Sequence, residues 1–205
     1  MFVLLVCFPI HECEHAWIAY KLGDDTAKLQ GRITLIPFKH LDFLGSIMIL
    51  ILGIGHWVLG TQNRCRLIRI SYRTGNGKWD MALVALAGPL SNLIMAILFF
   101  VILRLVPKSS MNYSLLQFIS YTAFINISLT LFNLLPIPPL DGSKVFGIVL
   151  SDKAYDWFLN KGGMTVVVLF VAIMLLGRMG YSPVGMLTTR VYDFFYRLIV
   201  LGRIA

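Results

Sequence analysis

MFVLLVCFPIHECEHAWIAYKL, residues 1–22, is an apolar run with His11, Glu12, Glu14 and His15 set in its middle. Its length suits a membrane-spanning helix, yet ionisable side chains inside such a run are expensive in lipid and need a reason. It does not read as a signal peptide: it lacks a basic leading region and a small-residue cleavage site, and the apolar stretch before His11 is brief. The rest of the chain shares this character. Its 205 residues are 58% hydrophobic and 14% charged, with a mean hydropathy of +0.77. Ordinary soluble domains sit at about 45–50% apolar and about 25% charged, so a water-soluble globule is the poor reading. Disorder and collagen-like repeats are excluded by the abundance of Leu, Ile, Val and Phe. Three cysteines, odd in number and without metal-type pairing, imply no disulfide framework.

Working outward, Gly23 ends the first segment and a polar stretch, 24–42, follows. The next apolar segment, Phe43–Gly60, is interrupted by Gly53, Gly55 and His56, and is either a marginal span or a re-entrant segment. A basic loop over 61–80 contains the turn signal Gly75-Asn76-Gly77. Met81–Val106 is the clearest full span, with Ala87-Gly88-Pro89 and Asn92 inside it. Leu115–Leu135 is the next, closed by Pro136, Pro138 and Pro139, which cannot continue a helix. After a polar stretch, 141–161, come a further segment over Met164–Leu176 and an apolar tail over 184–204, either a short span or an interfacial helix. The expectation is an all-α polytopic membrane protein, a bundle of about four to six transmembrane segments forming a single domain over 1–205, with core motifs in 1–142 and C-terminal membrane segments in 164–205.

The net charge of +8 does not point to nucleic acid. Arg64, Arg66, Arg69, Arg73 and Lys78 gather in one loop between apolar runs, as membrane proteins mark their cytoplasmic side. If 43–60 re-enters, the stretches 23–42 and 61–80 share that side, the N-terminus is external, and the site opens toward the cytoplasm. If 43–60 crosses fully, the two stretches lie on opposite faces.

Chemistry concentrates in His11-Glu12-Cys13-Glu14-His15. At roughly 100° per residue, His11 and His15 lie about 40° apart on one helical face, so both imidazoles can reach one ion. Glu12 flanks that face and can address a metal-bound water without being a ligand, which suits a general base. A catalytic zinc takes three protein ligands and leaves one position for water. His40 and His56 have the right side chain for the third, but one lies in a charged loop and the other beside Trp57 reads as interfacial. Asp141 is better placed, because the prolines unwind the end of the preceding helix and Gly142 lets the backbone turn the carboxylate inward; the plain alternative is a helix-terminal aspartate in solvent. For Asn92, with small residues at Ala87, Gly88 and Ser91 nearby, interhelical packing is the preferred reading. For Asn133, eight residues before Asp141, catalysis is slightly favoured. Glu14 fits a hydrogen-bond acceptor behind a ligand, a lining of the water path, or a protonated side chain.

HECEH at 11–15, Ala87-Gly88-Pro89 with Asn92, and the stretch Asn133–Gly142 ending in Leu-Asp-Gly together resemble the site-2 proteases, intramembrane zinc metalloproteases, in their short prokaryotic form. The resemblance implies His11, His15 and Asp141 as ligands of one zinc per chain, Glu12 as catalytic base, and Asn133 as the asparagine that steadies the oxyanion. It implies an integral protein of a prokaryotic cell membrane acting on single-span membrane-protein substrates in the lipid bilayer. One departure is Gly55-His56-Trp57-Val58-Leu59-Gly60, which lacks the proline of the family's substrate-presenting segment. Two rival readings are a metal-ion or small-solute transporter and an inactive relative that only binds membrane partners. The first does not call for a glutamate directly after His11, and the intact HECEH and Asp141 speak against the second.

Overall fold

The computed structural model describes residues 2–36, 77–106, 112–138, 140–160 and 181–202, with single positions at 172, 175 and 177. Every regular element among them is helical and none is a strand. Helix α1 covers Phe2–Lys21 and a single turn, α2, covers Thr26–Leu29. Between them Gly23 takes φ +104°, a conformation glycine adopts without a Cβ penalty. The amides of Gly23 and Asp24 close back on the carbonyls of Tyr20 and Ala19 at 3.0 Å each, and Asp24 Oδ1 accepts the Thr26 N–H at 2.9 Å.

The long helix α3, Gly77–Leu105, is the keel. It packs against α1, against α4 (Tyr113–Asn133) and against α5 (Asp141–Phe146). Helix α4 starts at the Asn112 cap, whose side chain accepts the Leu115 N–H at 2.8 Å, and it stops three residues before Pro136. The chain then folds back so tightly that a Cβ at position 142 would run into the backbone carbonyls of Leu134 and Leu135. Gly142 thus seats the start of α5 directly on the end of α4. A 3-10 turn, Gly147–Val149, leads to α6, Asp152–Asn160, which is tied to the first turn of α3. Lys78 Nζ pairs with Asp152 at 2.6 Å and donates to the Leu150 carbonyl at 2.8 Å.

The apolar tail forms α7, Pro183–Phe195, continued by one π-helical turn, Tyr196–Val200. It lies against α3 and α4, where Phe100 is fully buried among Ala96, Leu103, Ile119, Ala123 and Ile127. The Phe100 ring packs on Tyr192 with centroids 5.1 Å apart. Arg104 Nη1 donates to the Ile199 carbonyl at 2.6 Å and fixes the other end of this contact.

Polarity is distributed as lipid requires. Leu83, Leu90, Ile94, Leu98, Ile102 and Leu105 of α3 are exposed along its outer face, whereas Ser91, Asn92, Thr122, Asn126, Thr130 and Asn133 are buried. An unbroken apolar outer stripe is a liability in water and ordinary in a bilayer. The buried hydroxyls bond to backbone carbonyls within the bundle: Thr130 Oγ1 reaches the Asn126 carbonyl at 2.9 Å and the Pro89 carbonyl at 3.1 Å. Two described helices, α3 and α4, are long and apolar enough to cross a membrane, against an expectation of four to six. The segment Phe43–Gly60, with His40, His56 and Cys65, and most of Met164–Leu176 lie outside the described residues.

Replacing Gly142 by Ala is expected to lower the thermal unfolding temperature, since overpacking typically costs about 1–3 kcal/mol. Gly77→Ala, where an added Cβ meets nothing within 4 Å, serves as the control and should stay within about 0.5 kcal/mol. Unfolding of both variants in detergent, followed by circular dichroism, checks this; equal melting would mean that α5 has room to back away from α4.

Candidate metal centre

Consecutive turns of α1 carry His11 and His15, and helical spacing stacks them as expected. Their Nε2 atoms are 3.1 Å apart, with the rings edge to face at a centroid separation of 4.6 Å. From the far end of the chain Asp141, the first residue of α5, brings Oδ2 to 3.1 Å from His15 Nε2 and 3.3 Å from His11 Nε2. His11 is 2% exposed and Asp141 8%.

Helix α3 supplies the back wall. His15 Nδ1 lies 2.7 Å from the Val84 carbonyl, which can only accept, so Nδ1 carries the proton and a neutral ring turns the lone pair of Nε2 toward Asp141. Val84 lies five residues before Pro89, whose missing N–H leaves the next carbonyl, that of Ala85, without its helical donor. Gly88 lies in the same stretch. A Cβ there would come within 2.5 Å of His15 Nε2 and 2.6 Å of His11 Nε2, so the backbone of α3 passes directly against both imidazoles. Ser91 Oγ donates to the Gly88 carbonyl at 2.7 Å and braces this turn.

The three donor atoms fit zinc. Bonds of about 2.0–2.1 Å at tetrahedral angles separate neighbouring ligand atoms by about 3.3 Å, and the observed separations are 3.1 Å, 3.1 Å and 3.3 Å. Two imidazole nitrogens and a carboxylate oxygen are the donor set that zinc, as a borderline ion, accepts. The cradle that a Cβ at position 88 would fill is a second sign of the same fit.

Other expected residues stand differently. Glu12 is partly exposed beside this cluster and acts electrostatically on His15. Asn133 is buried, and its amide nitrogen donates to the Leu129 carbonyl one turn back at 3.0 Å rather than to His11, His15 or Asp141. Asn92, read from sequence as a packing residue, does make an interhelical hydrogen bond. Its partner, however, is His11, with Nδ2 3.0 Å from Nδ1. A signal was available: Asn92 follows Gly88 by one helical turn, so whatever faces one faces the other. Lys144, three residues after Asp141 and 3.4 Å from its Oδ1, had the same kind of signal. The Val84 carbonyl had none, because a backbone acceptor has no side chain to read. Among the cysteines, Cys7 and Cys13 are free thiols.

Comparison with known proteins bears on this geometry. The model of peptidase family M50 matches residues 1–109 and 102–177. "Putative zinc metalloprotease YwhC" of Bacillus subtilis is 45% identical over 148 residues, 69% of this chain and 64% of that protein. "Putative zinc metalloprotease MJ0611" of Methanocaldococcus jannaschii is 35% identical over 144 residues, 67% of this chain and 63% of that protein. "Putative zinc metalloprotease Rip2" of Mycolicibacterium smegmatis is 30% identical over 140 residues, 67% of this chain and 52% of that protein. The chain thus spans between about half and two thirds of the length of these relatives. No solved structure matches it. With the family model running across His11, Gly88, Asn92 and Asp141 alike and accounting for well over half of the residues, the chain belongs to peptidase family M50.

Proposed function

We propose that this chain is an intramembrane zinc metalloprotease that cleaves single-span membrane proteins in or near their transmembrane segment, with one zinc held by His11, His15 and Asp141. The observation that carries the reading is the convergence of those three donor atoms at 3.1–3.3 Å inside an inside-out helical bundle. Zinc, when bound, supplies a Lewis acid and a water of lowered pKa.

The chain's own residues do the rest. Glu12 follows His11 directly and is only partly buried, so its carboxylate can take a proton from the attacking water and deliver it to the leaving amine. Val84 and Lys144 hold His15 and the second oxygen of Asp141 from behind, which fixes the ligands before substrate arrives. Asn133, at the end of α4, is assigned to the developing oxyanion; its Oδ1 would have to yield to its NH2, which now serves Leu129. A substrate helix must unwind to be cut, because helical carbonyls are already hydrogen-bonded. Pro136 and Pro138 leave residues 134–138 non-helical shortly before Asp141 and give an extended segment a place to lie.

Elemental analysis and cleavage of a candidate single-span substrate, run on the same purified variants, test the assignments. His11→Ala, His15→Ala and Asp141→Ala are expected to lose zinc. Glu12→Gln is expected to keep zinc and lose cleavage, since an amide preserves the shape but cannot accept the proton. Full cleavage by Glu12→Gln would remove it as the base, and undiminished zinc in Asp141→Ala would remove the third ligand.

If α3 passes the imidazoles as closely as it does because an ion occupies the space in front of Gly88, Gly88→Ala should abolish zinc uptake while the helical circular dichroism stays near wild type. Retained stoichiometric zinc would show that the rings can retreat from a methyl group.

Topology is tested in cells. Both early polar stretches are placed in the cytoplasm, with Lys28, Arg32, Lys39 and the basic residues of 61–80 together on one side. In a chain without Cys7 and Cys13, an impermeant maleimide should label Cys65 only after permeabilisation, and likewise a Gln30→Cys, Cys65→Ser variant. Gln30 is exposed, whereas nearby Ala27 is buried. Labelling of position 30 from outside would place 43–60 across the membrane and invert α1.

A further inference from the structure

Among the described residues, Asn92 and Asn126 each bury an amide oxygen with no hydrogen-bond partner, and of the two only Asn92 faces a candidate ligand, His11. Asn92 is 1% exposed. Its Nδ2 is 3.0 Å from His11 Nδ1, while its Oδ1 is buried with no hydrogen-bond partner. An amide nitrogen facing Nδ1 would donate to it. A neutral His11 would then carry its own proton on Nε2, the atom 3.1 Å from His15 Nε2 and 3.3 Å from Asp141 Oδ2. In that state the ring has no lone pair to offer there.

The oxygen and nitrogen of an asparagine amide exchange places on a half-turn of its last torsion, with almost no change of shape. With Oδ1 facing the ring, the orphaned acceptor gains the Nδ1–H of His11, and Nε2 is left with a lone pair directed at Asp141 and His15. The amide nitrogen is then turned away from His11. The result also makes the two histidines alike. His15 already donates Nδ1–H to an oxygen of α3, the Val84 carbonyl, and His11 would donate to a second oxygen of the same helix two turns on.

We propose that Asn92 is a positioning residue for His11: its Oδ1 accepts the Nδ1–H and holds the ring in the tautomer whose Nε2 presents a lone pair to a metal ion. This rests on the reading of His11, His15 and Asp141 as a zinc site. Outer partners of ligating histidines typically change metal affinity by about 10- to 100-fold when removed.

The test uses the full chain in detergent micelles, titrated with zinc against a chelator, beside thermal unfolding of the metal-free form. Asn92→Leu keeps the approximate volume and removes both polar atoms. It is expected to bind zinc about 10- to 100-fold more weakly, with metal-free unfolding unchanged or raised. Asn92→Asp, which can only accept while ionised, is expected to stay within a few-fold of wild type. A donor to Nδ1, or a residue that merely packs helices, predicts the reverse order, because a carboxylate would face a lone pair or upset the packing. Wild-type affinity in Asn92→Leu overturns the proposal whether or not Asn92→Asp folds, and so does an Asn92→Asp chain that folds yet binds as weakly as Asn92→Leu. His11→Ala separates the two levels. If it binds zinc like wild type, or wild type binds none, the metal reading itself fails and this inference with it. If His11→Ala loses zinc and Asn92→Leu does not, this inference alone fails.

Discussion

Two imidazole nitrogens and a carboxylate oxygen converge on one buried spot, where their lone pairs repel unless a proton or a metal ion lies among them. Most of the described architecture follows from meeting that demand. Helix α1 brings two of the groups, α5 brings the third from 126 residues away, and α3 stands behind both histidines. The two elements that carry these groups would have no common register without α3, which contacts both. Small details serve the same end. Gly88 removes the side chain that would sit between the rings, and Gly142 removes the one that would hold α5 off the end of α4.

The bundle is polar where it is closed and apolar where it faces outward. In water that arrangement would be unstable. In lipid the outer leucines of α3 cost nothing, and the buried amides and hydroxyls find partners on adjacent turns or adjacent helices. The same arrangement lets His11 and His15 persist on α1, because Asp141 and the Val84 carbonyl rather than hydrocarbon face their ring nitrogens.

How much of this was legible in the sequence varies from residue to residue. His11 and His15 could be paired from spacing alone, because helical periodicity is local and robust. Asp141 could be singled out because prolines and a glycine beside it announce a break, but its distance from the histidines is a tertiary fact that no local pattern contains. Gly88 looked like a packing glycine, and its role as the floor under two rings needed coordinates. The fold was legible as helical and membranous, and α3 and α4 fall where their apolar runs do. The return of α6 onto Lys78 was not, since an ion pair between residues 78 and 152 leaves no trace in either neighbourhood. The tail, open between a span and an interfacial helix, resolves into α7 held on Phe100 by aromatic contacts, which its intermittent arginines obscured.

The separation of the ligands along the chain carries a consequence for biosynthesis. A ribosome delivers His11 and His15 early, and a pair of histidines on one helix is a weak, exchangeable grip on any divalent ion. Asp141 arrives only after α3 and α4 have been made and α5 has docked on the end of α4. If the three hold zinc as proposed, tight retention would be a late event, coupled to completion of the bundle, and the ion kept would be one available at the membrane once folding ends.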